Sequence, residues 1–214
     1  MGTVHAAVVC WIAADQNPAM TTGFEDHEPI PDTLSDGRIR LTRYRMEHVE
    51  QLFAAASSSQ KELQPWMPWC HPDYKIEESH AWVRMQIEKW DARREFEFAI
   101  ESVSDGAYLG GCGLNSLSTV NRLANLGYWV RSSTTGQGVA GAATRVVARF
   151  GLQSLGLHRI EIFMAVGNIA SARVAAKAGA QKEGILRHRL LLHGQSHDAV
   201  MYSLVNVNEI NQGY

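Results

Sequence analysis

The chain has 214 residues, of which 45% are hydrophobic and 20% are charged, and its formal net charge is -2 at pH 7. This length and composition suit one domain with a sizeable core. Because the charge is near zero and no basic run occurs, nucleic acid is not expected as a direct partner. No stretch approaches the roughly twenty apolar residues that cross a membrane, so membrane insertion is not expected. The three cysteines, Cys10, Cys70 and Cys112, form no Cys-x-x-Cys pair, which suits free thiols in a reducing cytoplasm.

Residues 1–35 differ in pattern from the rest and are predicted to form an N-terminal tail, either flexible or a leader. No Lys or Arg precedes the apolar run at residues 6–14, which argues against a secretory signal. Met20 begins a polar stretch that contains Pro29 and Pro31, so Met20 is a candidate for the true start. The folded domain is predicted over residues 36–204, and residues 205–214 are predicted to be a C-terminal tail.

From residue 38 onward, the hydrophobic pattern predicts regular elements. The predicted elements are, in chain order, a strand at 38–44, a helix from 49, a helix at 77–94, strands at 96–102, 107–117 and 122–130, a helix at 139–155, a strand at 158–166, a helix at 169–178 and a hairpin that turns at 193–194. The segment between the first two helices contains Pro65 and Pro68 and is predicted to be irregular.

The sequence Gly-Gln-Gly-Val-Ala-Gly at residues 136–141 lies between the strand that ends at Val130 and the helix that begins at Val139. A loop with little side-chain bulk at a helix N-terminus offers unpaired backbone N–H groups and the positive end of the helix dipole, so it predicts a phosphate site. Gly136, Gly138 and Gly141 also satisfy the G-x-G-x-x-G pattern of dinucleotide-binding units.

Two features disfavour NAD as the ligand of this loop. Residues 131–135 separate the strand from the first glycine, whereas a dinucleotide-binding turn is shorter. The next strand should end in an acidic residue that binds the ribose, but its only acid, Glu161, lies near its start.

Several blocks of the sequence resemble the GCN5-related N-acetyltransferases (GNAT family). Residues 126–131 and 135–140 resemble the acetyl-CoA loop of that family, whose pattern is Gln/Arg-x-x-Gly-x-Gly/Ala. Gly138 and Ala140 take its last two places, whereas Thr135 stands where Gln or Arg is usual. In this pattern Gly138 is expected to matter more than Gly136 or Gly141.

Three further blocks follow in family order. Residues 168–180 resemble the family's Asn-x-x-Ser helix with its Lys-x-Gly ending, and residues 183–203 and 63–69 resemble the ribosomal-protein N-terminal acetyltransferase branch (RimJ/RimL-like). The resemblance implies one α/β (α+β) domain with a mixed, mostly antiparallel central sheet and helices on both faces. It also implies that the parallel strands ending at Val130 and starting at His158 splay apart and hold the pantetheine arm of acetyl-CoA.

The resemblance implies three groups of cofactor-binding residues. Trp129, Val130 and Arg131 are expected along the pantetheine, with a backbone N–H of Trp129 or Val130 on the thioester oxygen. Asn168 is expected to cap its helix and contact the pantetheine, with capping alone as the alternative. The diphosphate is expected on the loop residues and on the N–H groups from residue 137 onward, the full set being Gly136, Gln137, Gly138, Val139, Ala140 and Gly141. No metal is required.

Ser171 is expected to act as the catalytic acid, with a first-turn serine that is satisfied by backbone as the alternative. Relatives often carry a Glu where this chain has Asn125, which cannot accept a proton at neutral pH. A water chain or a histidine must therefore act as the base, and the histidine candidates are His71, His193 and His197. A metal site at His188, His193 and His197 is disfavoured because these residues lie on opposite arms of the closing hairpin.

On the acceptor side, Trp66 and Trp69 are expected to line a substrate groove, with packing on the core as the alternative. Arg145 either reaches a CoA phosphate or is a solvated residue on the helix face. The resemblance implies a cytoplasmic N-acetyltransferase that moves an acetyl group from acetyl-CoA to a primary amine, such as a protein N-terminus. A small-molecule acceptor (polyamine, amino acid or aminoglycoside) and a non-catalytic acyl-CoA-binding protein remain alternatives, and a homodimer is left open.

Overall fold

A computed structural model describes residues 29–206 of the chain. The helices in chain order are α1 (Val49–Ser57), α2 (Gln60–Leu63), α3 (Ile76–Asp91), α4 (Val139–Arg149) and α5 (Ile169–Lys177). The strands in chain order are β1 (Thr33–Ser35), β2 (Ile39–Arg43), β3 (Phe96–Ser102), β4 (Tyr108–Ser118), β5 (Leu123–Val130), β6 (Arg159–Ala165), β7 (Gln181–Leu192) and β8 (Gln195–Val205).

The strands form one eight-stranded sheet in the order β1-β2-β3-β4-β5-β6-β8-β7. Strands β5 and β6 are parallel, and the other neighbouring pairs are antiparallel. In the described part of the chain, β5 and β6 pair only where residues 123–125 meet residues 159–161. Beyond that point β5 continues to Val130 and β6 continues along β8 to Ala165. The predicted mixed sheet and the predicted splayed parallel pair are thereby confirmed.

Helices cover both faces of the sheet, and alternate residues of β3 show the two cores. Phe96, Phe98 and Ile100 pack with the buried residues of α4 and α5, whereas Ala99 packs with those of α1 and α3. This alternation is what a strand buried on both faces requires, because successive side chains point to opposite faces. The sheet therefore has a face covered by α4 and α5, and an opposite face covered by α1 and α3.

The first strand begins within the predicted tail. β1 pairs antiparallel with β2 through a tight turn, in which Gly37 has a φ of 89° and Asp36 Oδ1 accepts hydrogen bonds from the N–H groups of Arg38 and Ile39 at 2.9 Å each. The short polar strand Thr33–Ser35 lacks the apolar alternation that marks a strand in sequence, so the predicted boundary at residue 35 fell inside this hairpin. Met20 and Cys10 lie outside the described residues.

The other predicted boundaries differ from the structure by a few residues. The helix predicted at 139–155 is an α-helix to Arg149 and then one π-helical turn, Phe150–Ser154. At Gly151 in this turn, a Cβ atom would lie 2.8 Å from Ile160 Cδ1, so the turn packs closely on β6. Among the described residues, no helix is both long and apolar enough to cross a membrane.

Candidate active site

The gap between the second halves of β5 and β6 determines which backbone groups of β5 are available. The Arg131 N–H donates to Leu109 O at 2.8 Å, which identifies a hydrogen-bonded pair of the β4–β5 ladder. Because bonded and non-bonded pairs alternate along antiparallel strands, the register makes Gly111 and Trp129 the next bonded pair and turns the backbone of Val130 toward the gap. Of the two candidates for the thioester ligand, Trp129 and Val130, the geometry therefore favours Val130.

The glycine loop, residues 136–141, lies between the end of β5 and α4 and depends on left-handed backbone conformations. Gly136 and Gly138 have φ values of 82° and 80°. Side chains disfavour this region, so glycine is the residue that occupies it at least cost. Gly138 is the N-cap of α4, and Gly141 lies in its first turn. Gly136 therefore has a conformational role equal to that of Gly138, which the acetyl-CoA pattern did not indicate.

The first turn of α4 presents backbone donors. The Ala142 N–H donates to Gly138 O at 3.0 Å, so the N–H groups of Val139, Ala140 and Gly141 precede the first intrahelical bond. A glycine cap supplies no side-chain oxygen that could accept from them. These three N–H groups and the positive end of the helix dipole are suited to an anion, and the phosphate site that the sequence predicts here stays a prediction.

Gln137 differs from its neighbours in the loop. Its N–H donates to Thr134 O at 3.3 Å, and its side-chain amide donates to Ser133 O at 3.0 Å. The backbone N–H of Gln137, which was predicted to bind phosphate, is therefore used within the turn that leads into α4.

Two arginines add positive charge beside the glycine loop. A Cβ atom placed on Gly138 would lie 3.8 Å from Arg38 Nη2, and one placed on Gly141 would lie 3.6 Å from Arg145 Nη1. Partial burial acts to raise the pKa of Asp36, but hydrogen bonds from backbone N–H groups and the charges of Arg38 and Arg145 hold this pKa below its ordinary value. Arg145 was a candidate from the sequence, whereas Arg38 was not, because it lies far away in the chain and carries no local signal.

Two buried polar atoms next to the loop make no hydrogen bond within the described part of the chain, Arg131 Nε and Thr135 Oγ1. A buried group without a partner costs free energy, so both atoms fit a polar ligand that the protein would bind there. Thr135, the departure from the family pattern, can therefore still contribute a hydroxyl to this site.

The N-terminus of α5 lies across the gap and holds the predicted catalytic residue. Asn168 is the N-cap, and its Oδ1 accepts from the Ser171 N–H at 3.1 Å. The Tyr128 hydroxyl donates to Ser171 O at 2.9 Å and lies 3.0 Å from Ser171 Oγ. Because the phenol has one proton, the Ser171 hydroxyl is the donor in the second bond. Ser171 is fully buried, and its hydroxyl is tied to β5 beside the gap.

The irregular segment between α2 and α3 spans the gap on the face that α1 and α3 cover. Trp69 packs edge-on against Trp129 of β5, with ring centroids 5.8 Å apart. Trp66 packs against the cluster that contains Ala165 of β6, and a Cβ atom on Gly167 would lie 3.5 Å from its ring. The two predicted substrate residues therefore lie on opposite sides of the gap, each packed on the strand below it.

A cavity of about 180 Å³ opens beside Trp129 on the same face. We call it the aromatic pocket, and its lining residues are Leu52, Trp69, Tyr74, Glu78, Trp82 and Trp129. The sequence pointed to Trp69 and Trp129 but not to their neighbours. Glu78 and Trp82 are four residues apart on α3, so helical geometry places them on one face.

A buried carboxyl group lies on the same face of the sheet. Asn125 Nδ2 donates to Asn115 Oδ1 at 3.0 Å, and Asn115 Nδ2 donates to Glu97 Oε1 at 3.4 Å. Burial raises the pKa of Glu97 well above its ordinary value, and the nearby charge of Glu95 acts in the same direction. Glu97 was not among the residues predicted from the sequence, although a charged residue within the apolar strand β3 is a visible signal.

The histidines proposed as bases or metal ligands are separated. His71 Nε2 lies 3.0 Å from Glu78 Oε2, next to the aromatic pocket, whereas the His193 Nε2–H donates to Gln64 O at 2.8 Å. His188 contacts the hydroxyl of Ser196 on the neighbouring strand. Within residues 29–206, no group of three or more His, Cys, Asp and Glu side chains is arranged to hold a metal ion.

Comparisons with known proteins agree with this geometry. A family model described as an acetyltransferase (GNAT) domain matches residues 38–181. YdaF of Bacillus subtilis (strain 168), provisionally assigned as a ribosomal N-acetyltransferase, is 39% identical over 101 residues, which cover 47% of this chain and 55% of that protein. The ribosomal-protein-serine acetyltransferase of Escherichia coli (strain K12) is 25% identical over 158 residues, which cover 74% of this chain and 87% of that protein.

The fold is also found in solved structures. RimJ of Mycobacterium smegmatis, solved in complex with CoA-disulfide, superposes with a TM-score of 0.74 and is 27% identical, with 86% of this chain and 91% of that chain covered. The predicted fold and the predicted enzyme class, an N-acetyltransferase with acetyl-CoA as donor, are confirmed by these matches. The chain belongs to the GNAT acetyltransferase family.

Proposed function

We propose that this chain transfers the acetyl group of acetyl-CoA to a primary amine, and that the residues around the gap carry out the transfer. The observation that supports this most directly is the position of Val130 and the glycine loop at the carboxyl end of β5, where β5 no longer pairs with β6. The loop supplies donors suited to a diphosphate, and Val130 supplies a donor suited to a carbonyl oxygen further along the same gap.

Acetyl-CoA, when bound, supplies an activated thioester. The Val130 N–H would then stabilise the negative charge that develops on the carbonyl oxygen as the amine attacks. A neutral amine is nucleophilic enough once it is positioned, so the protein needs no nucleophile of its own. Ser171 is the proposed acid that protonates the departing thiolate, and Asn168 holds Ser171 in place by capping α5. The proton that the amine loses as the amide forms is taken up by water, from which Ser171 is reprotonated.

The names of relatives favour an N-terminal amine of a protein as the acceptor. They refer to ribosomal proteins and, in the Escherichia coli relative, to a serine. A small-molecule amine is the second candidate, because a cavity of about 180 Å³ accommodates a compact group and not a long peptide segment. The cytoplasmic location and the homodimer stay predictions.

Thiol release from acetyl-CoA, measured across a panel of amines, tests the proposed function. The panel contains peptides beginning with Ser, Ala or Met, together with polyamines, amino acids and aminoglycosides. We expect release with at least one acceptor. Tight CoA binding without release for any acceptor would instead favour a non-catalytic acyl-CoA-binding protein, and an affinity for NAD above that for CoA would contradict the assignment of the loop.

A further inference from the structure

The aromatic pocket has a combination of groups that a simple apolar pocket would not have. Aromatic rings of Trp69, Tyr74, Trp82 and Trp129 form most of its wall. Among the described residues that line it, Glu78 alone carries a charge. Aromatic ring faces attract cations, and a carboxylate adds to that attraction.

The walls of the pocket are held in place by their neighbours. Trp69 contacts Tyr74 with ring centroids 5.5 Å apart, and Trp82 contacts Tyr44 edge-on with centroids 4.8 Å apart. The Tyr74 hydroxyl lies 2.7 Å from Ser79 Oγ. A cavity whose walls are already ordered loses little entropy when a ligand enters, so this pocket is preorganised.

Glu78 is fixed at the wall and carries its charge there. Its Oε1 accepts from the Lys75 N–H at 2.9 Å, and its Oε2 lies 3.0 Å from His71 Nε2. Desolvation acts to raise its pKa, but the hydrogen bonds from Lys75 and His71 outweigh it and hold the pKa of Glu78 below its ordinary value. The carboxylate is therefore ionised at neutral pH.

The charge of Glu78 distinguishes between two kinds of occupant. An apolar group in the pocket would remove water from the carboxylate and return no compensating charge, which costs free energy. An alkylammonium group would pair with the carboxylate and lie against the rings. The volume of about 180 Å³ suits such a group, because an engineered apolar cavity of about 150 Å³ holds one benzene molecule.

The pocket also lies next to the proposed reaction site. Trp129 lines the pocket, and Val130, the next residue, turns its N–H toward the gap where the acetyl group would lie. We propose that the aromatic pocket binds a second, non-reacting alkylammonium group of the acceptor, so that the preferred acceptors are amines with at least two positive charges. This inference rests on the proposed acetyl transfer and names the substrate class of that same site.

Two measurements test the proposal independently of each other. In the first, calorimetry compares choline, which has no primary amine, with its uncharged carbon isostere 3,3-dimethylbutan-1-ol. We expect choline to bind about tenfold more tightly, as cation–π and ion-pair contacts predict. In the second, kcat/KM for acetyl transfer is compared between 1,4-diaminobutane and butylamine, and between peptides with Lys or norleucine at position two.

We expect the charged member of at least one acceptor pair to be favoured about tenfold or more. The two pairs distinguish a small diamine from a lysine side chain as the source of the second charge. Glu78→Gln keeps an oxygen that can accept from Lys75 and should abolish the preference in both measurements. Glu77→Gln removes the same charge from an exposed neighbour outside the pocket, and this variant should retain the preference for the charged ligand.

Equal binding of choline and its isostere, or equal turnover of charged and uncharged acceptors, would overturn the proposal. An unchanged preference in Glu78→Gln would also overturn it. Tight, Glu78-dependent choline binding without acetyl transfer to any amine would overturn the proposed function while supporting cation binding in the pocket. Acetyl transfer at equal rates to charged and uncharged acceptors would support the proposed function and overturn cation binding in the pocket.

Discussion

The two sides of the gap between β5 and β6 are built from different chemical groups. On the cofactor side, the glycine loop offers backbone N–H groups, and apart from the buried Val139 its side chains are small or exposed. On the acceptor side, the aromatic pocket is built from large side chains that pack on one another. A site made of backbone can bind the same cofactor through many sequences, whereas a site made of side chains changes its ligand when one residue changes. Substitutions on the two sides should therefore have different consequences.

Ser171 of α5, which is hydrogen-bonded to Tyr128 of β5, is the proposed acid, and its removal should have the largest effect. We expect Ser171→Ala to lower the turnover number about 100-fold or more, because a positioned proton donor contributes at least that factor. The affinity for acetyl-CoA should change little, since the Tyr128 hydroxyl can still donate to the carbonyl of residue 171. Steady-state kinetics and calorimetry with CoA measure the two quantities.

Tyr128→Phe is the matched control for Ser171. It removes the hydrogen bond that the tyrosine hydroxyl donates and the one that it accepts but leaves the Ser171 hydroxyl, so it should lower stability by about 1 kcal/mol and affect turnover less than Ser171→Ala does. An unchanged turnover number in Ser171→Ala would remove Ser171 from the mechanism.

Gly138→Ala should disrupt the cofactor side. An L-residue in the left-handed region costs about 1–2 kcal/mol, and relaxation of that strain would redirect the donors at the start of α4. We expect the Kd for CoA to rise about tenfold, since about 1.4 kcal/mol corresponds to that factor. Binding of choline in the aromatic pocket should not change.

Gly179→Ala controls for backbone strain alone. Gly179 has a φ of 96°, and a Cβ atom there would meet Leu204 at 3.9 Å, an ordinary contact. It follows α5, at the end away from Asn168 and Ser171, so this variant should lose stability but keep its affinity for CoA. Equal losses of CoA affinity in the two variants would mean that strain, and not the position of the loop, explains the result.

The difference between the cofactor side and the acceptor side also explains which residues of the site the sequence could predict. The cofactor side is local, because the end of β5, the glycine loop and α4 follow one another within residues 123–149, and a short motif identified them. The acceptor side brings Leu52, Glu78 and Trp82 to Trp129 through packing of α1 and α3 on the sheet, which no short motif encodes. Arg38 reaches the loop from the β1–β2 hairpin for the same reason.

Glu97 tests how far burial on the face that α1 and α3 cover raises the pKa of a carboxyl group. Because its pKa is raised in the folded state, its contribution to stability is fully present below the unfolded value of about 4.5 and is lost as pH rises toward the folded value. We expect the free energy of unfolding of the wild type to fall from pH 5 to pH 8. In Glu97→Gln, which keeps an oxygen for Asn115, the fall should be smaller by on the order of 1 kcal/mol.

Urea unfolding at several pH values measures this effect. Glu88→Gln, at an exposed position on α3, is the control and should follow the wild type. Parallel curves for the wild type and Glu97→Gln would show that the Glu97 carboxyl is ionised alike in the folded and unfolded states.

Arg145 should have the smallest effect and the strongest dependence on salt. Its side chain is exposed beside Gly141, so Arg145→Ala should weaken CoA binding about threefold at low ionic strength, within the range of exposed charge pairs. Near 1 M salt the Debye length falls to about 3 Å, and the difference should disappear. Arg149→Ala removes the same charge one turn further along α4 and should have less effect at any salt concentration. The Glu78 carboxylate is itself about half exposed, so the effect of Glu78→Gln on choline binding should also weaken at high salt, whereas the contribution of the aromatic rings should remain. If choline lost all of its affinity for the wild type at high salt, the rings would contribute nothing, and the distinction between a cofactor site made of backbone groups and an acceptor pocket made of side chains would fail.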